Sequence, residues 1–299
     1  MATCGWIVHT IAREAARIET LLEDNQRAIE ALPGAFTTLW FDDHMQKDHA
    51  PILESWTTLA YLAALHPRMQ VGTLVLCQSY RNPALLAKMT ATLQTLTGGR
   101  SIAGIGAGWK EDEYRAYGYA FPAARERLEQ LEETVQILRL MWSRSPATFL
   151  GRHYRVVEAE CEPLPSPPPP LLIGGGGEKR TLRIVAQYAD WMNLTFADPP
   201  TFAHKLEVLR RHCQEVGRPE QAIRRSLWAY VHLSEAGEPP APIGGDRFVI
   251  SGTAQQVREI FRAYLDLGVE HFMLRFRDFP RLDGMLRFCD EVLPALGAA

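Results

Sequence analysis

The sequence predicts an α/β protein, a closed (β/α)8 TIM barrel in which eight parallel strands are each followed by a helix. Three observations carry this reading. Eight strand-like runs alternate with helix-periodic segments, spaced too closely for anything but crossovers between parallel neighbours. Several of the runs are short, apolar and unbroken, which suits strands covered on both faces. Four consecutive glycines, Gly174–Gly177, follow the fifth strand, whereas an open doubly wound sheet normally carries its phosphate loop after the first.

Taken in order, Trp6-Ile7-Val8 is a short first strand, and Ile18, Leu21, Leu22, Ala28, Ile29 and Leu32 follow at helical spacing until Pro33-Gly34 ends the helix. Phe36–Phe41, rich in β-branched and aromatic residues, is the second strand, and its end carries Asp42-Asp43-His44. A helix over Leu53–Leu65 stops at Pro67, and Met69–Cys77 is the third strand. Asn82-Pro83 caps a helix to about Leu96, with Gly98-Gly99 beyond its end. Ser101–Gly106 is the fourth strand, left through Ala107-Gly108-Trp109. A helical insert at Lys110–Tyr114, a helix over Arg125–Trp142 and a turn-bearing excursion at Thr148–Val157 precede the fifth strand, Leu171–Ile173. The helix read after the glycines runs from Glu178 to Tyr188. Asp190–Phe196, Arg225–Leu233 and Val269–Phe276 complete the strands, with helices over Thr201–Val216, Thr253–Leu267 and Leu282–Leu296. Gly237–Gly245 is a Pro/Gly-rich surface loop. With no internal repeat and no composition break, residues 1–299 are read as one domain with insertions in its loops.

Composition narrows the function classes. A net charge of -3 gives no global pull toward nucleic acid or an anionic membrane. No apolar run reaches the length of a membrane span, and no basic-then-apolar leader opens the chain. The five cysteines are odd in number and scattered, without a C-x-x-C pair, which fits a reducing cytoplasm. The partner these features leave is a small molecule.

The glycine stretch, LLIGGGGEKRTLR, is where chemistry first becomes visible. Pro165 and Pro167–Pro170 bring the chain in extended, since proline supplies no N–H and fixes φ. Glycine amides ahead of a helix N-terminus then form a cradle for a phosphate. The same pattern also serves as a tight strand-to-helix connection. Neither the G-x-G-x-x-G fingerprint nor a G-x-x-x-x-G-K-[ST] loop is present. On a barrel the working surface is the rim where strands end, and four rim segments fall along one arc: Phe41–His44, Thr73–Tyr80, Gly104–Trp109 and Ile173–Glu178.

These segments carry a family resemblance. WFDDH (40–44), ESWTTLA (54–60), VGTLVLCQSYRNPALLAK (71–88), GGRSIAGIGAGWKEDEYRAYGY (98–119), GRHYRV (151–156) and PPLLIGGGGEKRTL (169–182) occur in one order. The chain resembles the bacterial-luciferase-like superfamily of flavin and deazaflavin oxidoreductases, in the branch dependent on coenzyme F420. The resemblance covers roughly residues 37–231 and appears again near 252–272. It implies a luciferase-like barrel and hydride transfer between a deazaflavin and a small organic substrate, with FMN-dependent monooxygenation as the alternative. A non-catalytic flavin-binding protein on the same barrel is a second alternative.

By the same resemblance His44 stands near the reacting face of the ring, where an imidazole titrating near neutrality suits a proton donor or acceptor. Asp43 flanks it in the cofactor site. A non-proline cis peptide is implied at Leu74–Val75, in a bulge backing the ring, with Gly106 on the next strand. Gly174, Gly175, Gly176 and Gly177 map onto the phosphate-binding backbone, with Lys179, Arg180 and Arg183 near the acidic tail. Asn193, Trp40, Phe41 and Tyr154 are further pocket candidates. Asp42, Asp43, His44, Asp48 and His49 tempt as a metal site, but no matching ligands recur elsewhere and no metal is assigned. Some relatives place a glutamate acid directly after the glycine turn of the fourth strand. Here that place holds Trp109, with Glu111 and Glu113 behind it, which argues against sugar-phosphate chemistry and for a flatter, apolar wall. Relatives commonly pair through barrel helices, so a homodimer is expected.

Overall fold

The computed structural model describes residues 2–12, 18–235 and 247–297, and the loop read at Gly237–Gly245 lies outside them. Eight strands form the barrel: β1 (Thr3–Ile7), β2 (Phe36–Phe41), β3 (Gln70–Thr73), β4 (Ser101–Gly106), β5 (Leu171–Gly174), β6 (Trp191–Thr195), β7 (Arg224–Leu233) and β8 (His271–Phe276). Each pairs in parallel with the next. The ring closes where β8 returns to β1 through Thr3↔His271 and Cys4↔Phe272. Around it lie α1 (Ile18–Glu30), α2 (Ser55–Leu65), α3 (Pro83–Leu96), α4 (Ala124–Ser143), α5 (Thr181–Tyr188), α6 (Pro199–Val216), α7 (Ala254–Asp266) and α8 (Asp283–Arg287). No helix among the described residues is long and apolar enough to cross a membrane.

Local chemistry explains most boundaries. Asn82 accepts the amides of Ala84 and Leu85 ahead of Pro83, so α3 starts there. Thr253 and Gln256 form a reciprocal capping box at α7. Asp198 caps α6, and Gly217, at φ 69°, closes it in the left-handed conformation. Other boundaries differ from the sequence reading. The third strand breaks after Thr73 and resumes at Leu76-Cys77, which pair with Ile105 and Gly106, and the Leu74–Val75 bond between the two pieces is cis. An extra strand, Val249–Gly252, lies parallel to β7. The last helix widens to a π turn at Phe288–Val292 and tightens at Leu293–Leu296, since Pro294 cannot donate to a regular ladder.

Large side chains fill the inside of the barrel. Ile7, Trp40, Leu74, Ile102, Leu172, Trp191, Trp228 and Met273 form this inner cluster, separate from the layer between strands and helices. Side chains alternate along β2, so Trp40 points inward while Leu39 and Phe41 join the outer layer. The expectation that Trp40 and Phe41 line the pocket is therefore wrong: both are fully buried in core. Trp40 donates its indole N–H to His271 Nε2 at 2.9 Å, and Thr3 Oγ1 lies 2.7 Å from His271 Nδ1. Burial, with Arg224 nearby, pushes His271 down to about 3, so it remains a neutral acceptor.

The indole fits only because two neighbouring strands lack side chains beside it. A Cβ on Gly5 would lie 2.3 Å from Trp40 Nε1, and one on Gly72 2.3 Å from Trp40 Cζ3. Overpacking a filled core costs about 1–3 kcal/mol. Gly72→Ala should lower the unfolding free energy by that amount and the urea midpoint with it, while Gly34→Ala, with nothing within 4 Å of its new Cβ, should change little. Equal midpoints for the two variants would contradict this packing.

Candidate active site

The strand ends enclose a cavity of about 580 Å³. Its floor is Val75, held by the break in β3. Thr73 Oγ1 donates to Gly104 O at 2.8 Å and accepts from Gly104 N–H at 2.9 Å, anchoring the strand before the bulge. Val75 then fills space that two glycines leave open. A Cβ on Gly106 would come within 2.7 Å of Val75 Cγ2, and one on Gly174 within 2.9 Å of Cγ1. Leu74, Val75, Gly106 and Gly174–Gly177 all line the cavity, as do Asp43, His44, Trp109 and Asn193. The arc of rim segments read from the sequence thus meets in one pocket.

His44 is held from behind. Its Nδ1 lies 3.0 and 3.2 Å from the two carboxylate oxygens of Glu113. The same carboxylate accepts from the amides of Met45 and Gln46 and from Tyr80 Oη. Burial favours the neutral acid, but His44 and these donors outweigh it, and the Glu113 carboxyl sits below its ordinary 4.5. An ionised Glu113 requires an N–H on Nδ1, which leaves Nε2 as the imidazole atom available to the cavity. Glu113 was noted only as part of the insert. Its role depends on where the short helix Glu111–Ala116 docks, and sequence does not display that. Docking follows from Gly108, at φ 76°, whose Cβ would fall 2.0 Å from Tyr114 Oη. Tyr114 in turn bonds Ser79 Oγ and lies 2.9 Å from Cys77 Sγ.

The two aspartates before His44 serve separate partners. Asp43 accepts both guanidinium nitrogens of Arg81 at 2.8 and 3.0 Å, and also the Cys77 amide. Asp42 accepts from Thr10 and Arg275. Burial pushes the Asp42 carboxyl up, but Arg275 and then His44 hold it below the usual carboxylate range. Among the described residues no group of three or more His, Cys, Asp or Glu side chains is arranged to hold a metal. Trp109, 66% exposed, meets His44 edge-on at 5.9 Å. At that exposure Trp109 is not part of the packed core. Tyr154, expected at the pocket, instead donates to Gln78 and does not line the cavity.

The glycine run differs from the sequence reading in two ways. The helix after it begins at Thr181, because Glu178–Arg180 form a turn in which Leu182 N–H reaches back to Gly177 O. Not all four amides are free, since Gly175 N–H is spent on Asn193 O at 3.1 Å. The amides of Gly176 and Gly177 have no partner among the described residues and remain available. Glu178 pairs with His204 and Lys205, whose stem packs beside Gly176. Arg180 pairs with Glu129.

The far side of the cavity is aromatic and cationic: Phe196, Trp228, Tyr230, Arg247 and Arg275. None of these was singled out from sequence. A signal existed for one of them, because an arginine inside the apolar strand HFMLRF must be buried against something charged or polar.

Because Glu113 has a lower carboxyl pKa folded than unfolded, its stabilisation is fully present above about pH 4.5 and is lost as pH falls through the lower folded value. Glu113→Gln should lower the melting temperature near neutral pH, with the gap to the parent closing as pH falls below about 4.5. A pH-independent gap would show that the charge on Glu113 contributes nothing.

A family model described as luciferase-like monooxygenase matches residues 15–239. The F420-dependent glucose-6-phosphate dehydrogenase of Kineococcus radiotolerans is 28% identical over 311 aligned positions, spanning 90% of this chain and 91% of that protein. Among solved structures, an F420-dependent secondary alcohol dehydrogenase in complex with an F420-acetone adduct superposes with a TM-score of 0.80 at 19% identity, over 99% of both chains. The EDTA monooxygenase of Chelativorans gives 0.80 at 16% identity, over 100% of this chain and 95% of that one. At these identities the two structures speak to fold alone.

Proposed function

The chain belongs to the luciferase-like monooxygenase family, and from that premise we propose that it binds coenzyme F420 and moves a hydride between the deazaflavin ring and a small organic substrate. The choice of F420 draws on the glucose-6-phosphate dehydrogenase of Kineococcus radiotolerans, similar along nine-tenths of the chain. The residues fit such a group. Val75 offers an apolar floor for a flat ring, and the unpartnered amides of Gly176 and Gly177 offer donors to a phosphate. When bound, the deazaflavin supplies the hydride chemistry.

The observation that carries the reading is the Glu113–His44 pair at the cavity wall. An imidazole fixed through Nδ1 presents Nε2 at one place, ready to give or take the proton that accompanies hydride transfer. The Arg81–Asp43 and Arg275–Asp42 pairs hold the loop on either side, so His44 does not drift. Trp109 stands perpendicular to the imidazole on the cavity side.

Titration with F420, FMN and FAD tests the cofactor. F420 should bind at least about tenfold tighter than either flavin, and tighter FMN binding with oxygen-dependent turnover would replace this reading by a monooxygenase. His44→Ala should keep F420 affinity within about twofold and lower turnover by about 10²–10⁴. Unchanged turnover would remove His44 from the chemistry.

The expected homodimer has support on neighbouring helices. α2 carries no charged residue, and Tyr61, Leu65, Leu85 and Leu96 stand exposed on α2 and α3. Leu65→Lys combined with Leu85→Lys should convert a dimer into a monomer in light scattering, and an unchanged mass would place any contact elsewhere.

A further inference from the structure

The cavity has two unlike halves. One side is built from Val75, the glycine backbone and His44. On the other, Phe196, at φ 54°, leaves β6 and closes on β7. Trp228 and Tyr230 are two apart on that strand and share a face. Phe196 meets Trp228 edge-on at 4.2 Å and lies parallel to Tyr230 at 5.6 Å, and Trp228 meets Tyr230 at 4.6 Å. Trp228 thus stands edge-on between two parallel rings, and the three brace one another into a firm aromatic wall with little entropy left to lose on binding.

The charge on this side is unbalanced. Arg275 is 8% exposed, and it spends Nη1 on Asp42 at 3.3 Å and Nη2 on Val8 O at 2.9 Å. Its buried Nε–H has no partner among the described residues. An unmet buried donor carries an uncompensated desolvation penalty, so an acceptor arriving there is favoured. Arg247 lies over the Phe196 ring at 5.1 Å and has no carboxylate partner among the described residues. The carboxylates that line the cavity are committed, Asp42 to Arg275, Asp43 to Arg81 and Glu113 to His44. The polar groups of this wall are already engaged, the Tyr230 hydroxyl with Arg275 among them. Asn193 Nδ2 is held by Ser226 Oγ at 3.2 Å, and Thr195 Oγ1 by Asn193 Oδ1 at 3.4 Å.

We infer that this wall is the substrate subsite and takes an aromatic carboxylate, its ring on Phe196, Trp228 and Tyr230 and its carboxylate on Arg247 and the Arg275 Nε–H. A sugar phosphate, the substrate in the name of the Kineococcus relative, would leave its hydroxyls unmatched against three rings. The inference rests on the deazaflavin reading only in that the ring lies over Val75 and leaves this half free.

Calorimetric titration of the whole protein, alone and loaded with F420, tests it with four probes: 2-naphthoate, 2-naphthylmethanol, cyclohexanecarboxylate and glucose 6-phosphate. In both forms 2-naphthoate should bind at least about tenfold tighter than the other three, since each lacks the flat ring, the charge or both complements. Arg247→Met should weaken 2-naphthoate about tenfold, as should Arg275→Lys, which keeps a cation beside Asp42 but removes the Nε donor. Melting curves confirm that each variant is folded, and Arg247→Met decides the matter if Arg275→Lys is not. Tighter binding of glucose 6-phosphate, unchanged 2-naphthoate affinity in Arg247→Met, or displacement of F420 by 2-naphthoate would each overturn the inference. Failure of F420 to bind while the probe ranking holds would instead remove the cofactor reading and leave the subsite standing.

Discussion

One steric relation underlies the whole site: the Val75 side chain occupies the room that Gly106 and Gly174 leave on the two adjacent strands. Any Cβ at either glycine would approach Val75 to within 2.7–2.9 Å, closer than carbon atoms can pack. Below this wedge the backbones are closer still, since a Cβ on Gly104 would stand 1.8 Å from Thr73 O. β3 therefore cannot continue straight. It is clamped at Thr73, bends through Leu74–Val75, and resumes beside β4 at Leu76. The pocket floor, the place of Gly174 at the start of the glycine run, and the position of Cys77 against Asp43 all follow from that detour.

Above the floor the site is organised by charge. Asp42 and Asp43 are adjacent in sequence but face opposite ways, each toward its own arginine, and the peptide between them is pinned from two sides. Ion pairs this deeply placed contribute little net stability, because desolvation offsets much of their attraction. What they provide is position. The chain leaves β2 along one path, and that path delivers His44 to Glu113, whose own seat comes from the helix anchored by Tyr114. The outcome is an imidazole defined in tautomer as well as place, a condition for proton transfer that pKa alone does not secure.

Much of this was legible in the sequence, and the reasons are specific. β2 and β4 were read with their observed bounds, because each is a short apolar run fenced by glycine or proline signals. His44, Asp43, Val75, Gly106 and the glycine run were placed together because barrel geometry and a family resemblance both locate function at strand ends. The misses are equally specific. Trp40 is a pocket candidate by sequence, but strand alternation sends it into the lumen, where Gly5 and Gly72 make room for it. The helix after Gly177 starts at Thr181 rather than at Glu178, which no propensity argument anticipates, because His204 and Lys205 of α6 hold Glu178 from outside. Glu113 was hidden because its partner lies 69 residues away.

The contrast between the two halves of the cavity explains why reaction class is easier to read here than substrate. The half proposed to hold the cofactor is made of backbone: glycines without room for a side chain, a bent strand and free amides. Substituting there disturbs the barrel itself, so the pattern is tied to the fold and travels with it. The far half is made of side chains: Phe196 just past β6, Trp228 and Tyr230 on β7, Arg275 on β8 and Arg247 ahead of the extra strand Val249–Gly252. Phe196, Tyr230 and Arg247 belong to neither buried core cluster, so their identity is set by what the cavity holds rather than by the packing of the barrel. A relative 28% identical can therefore share the ring site and differ wholly in what it acts on, and only the side chains of this chain decide the second question.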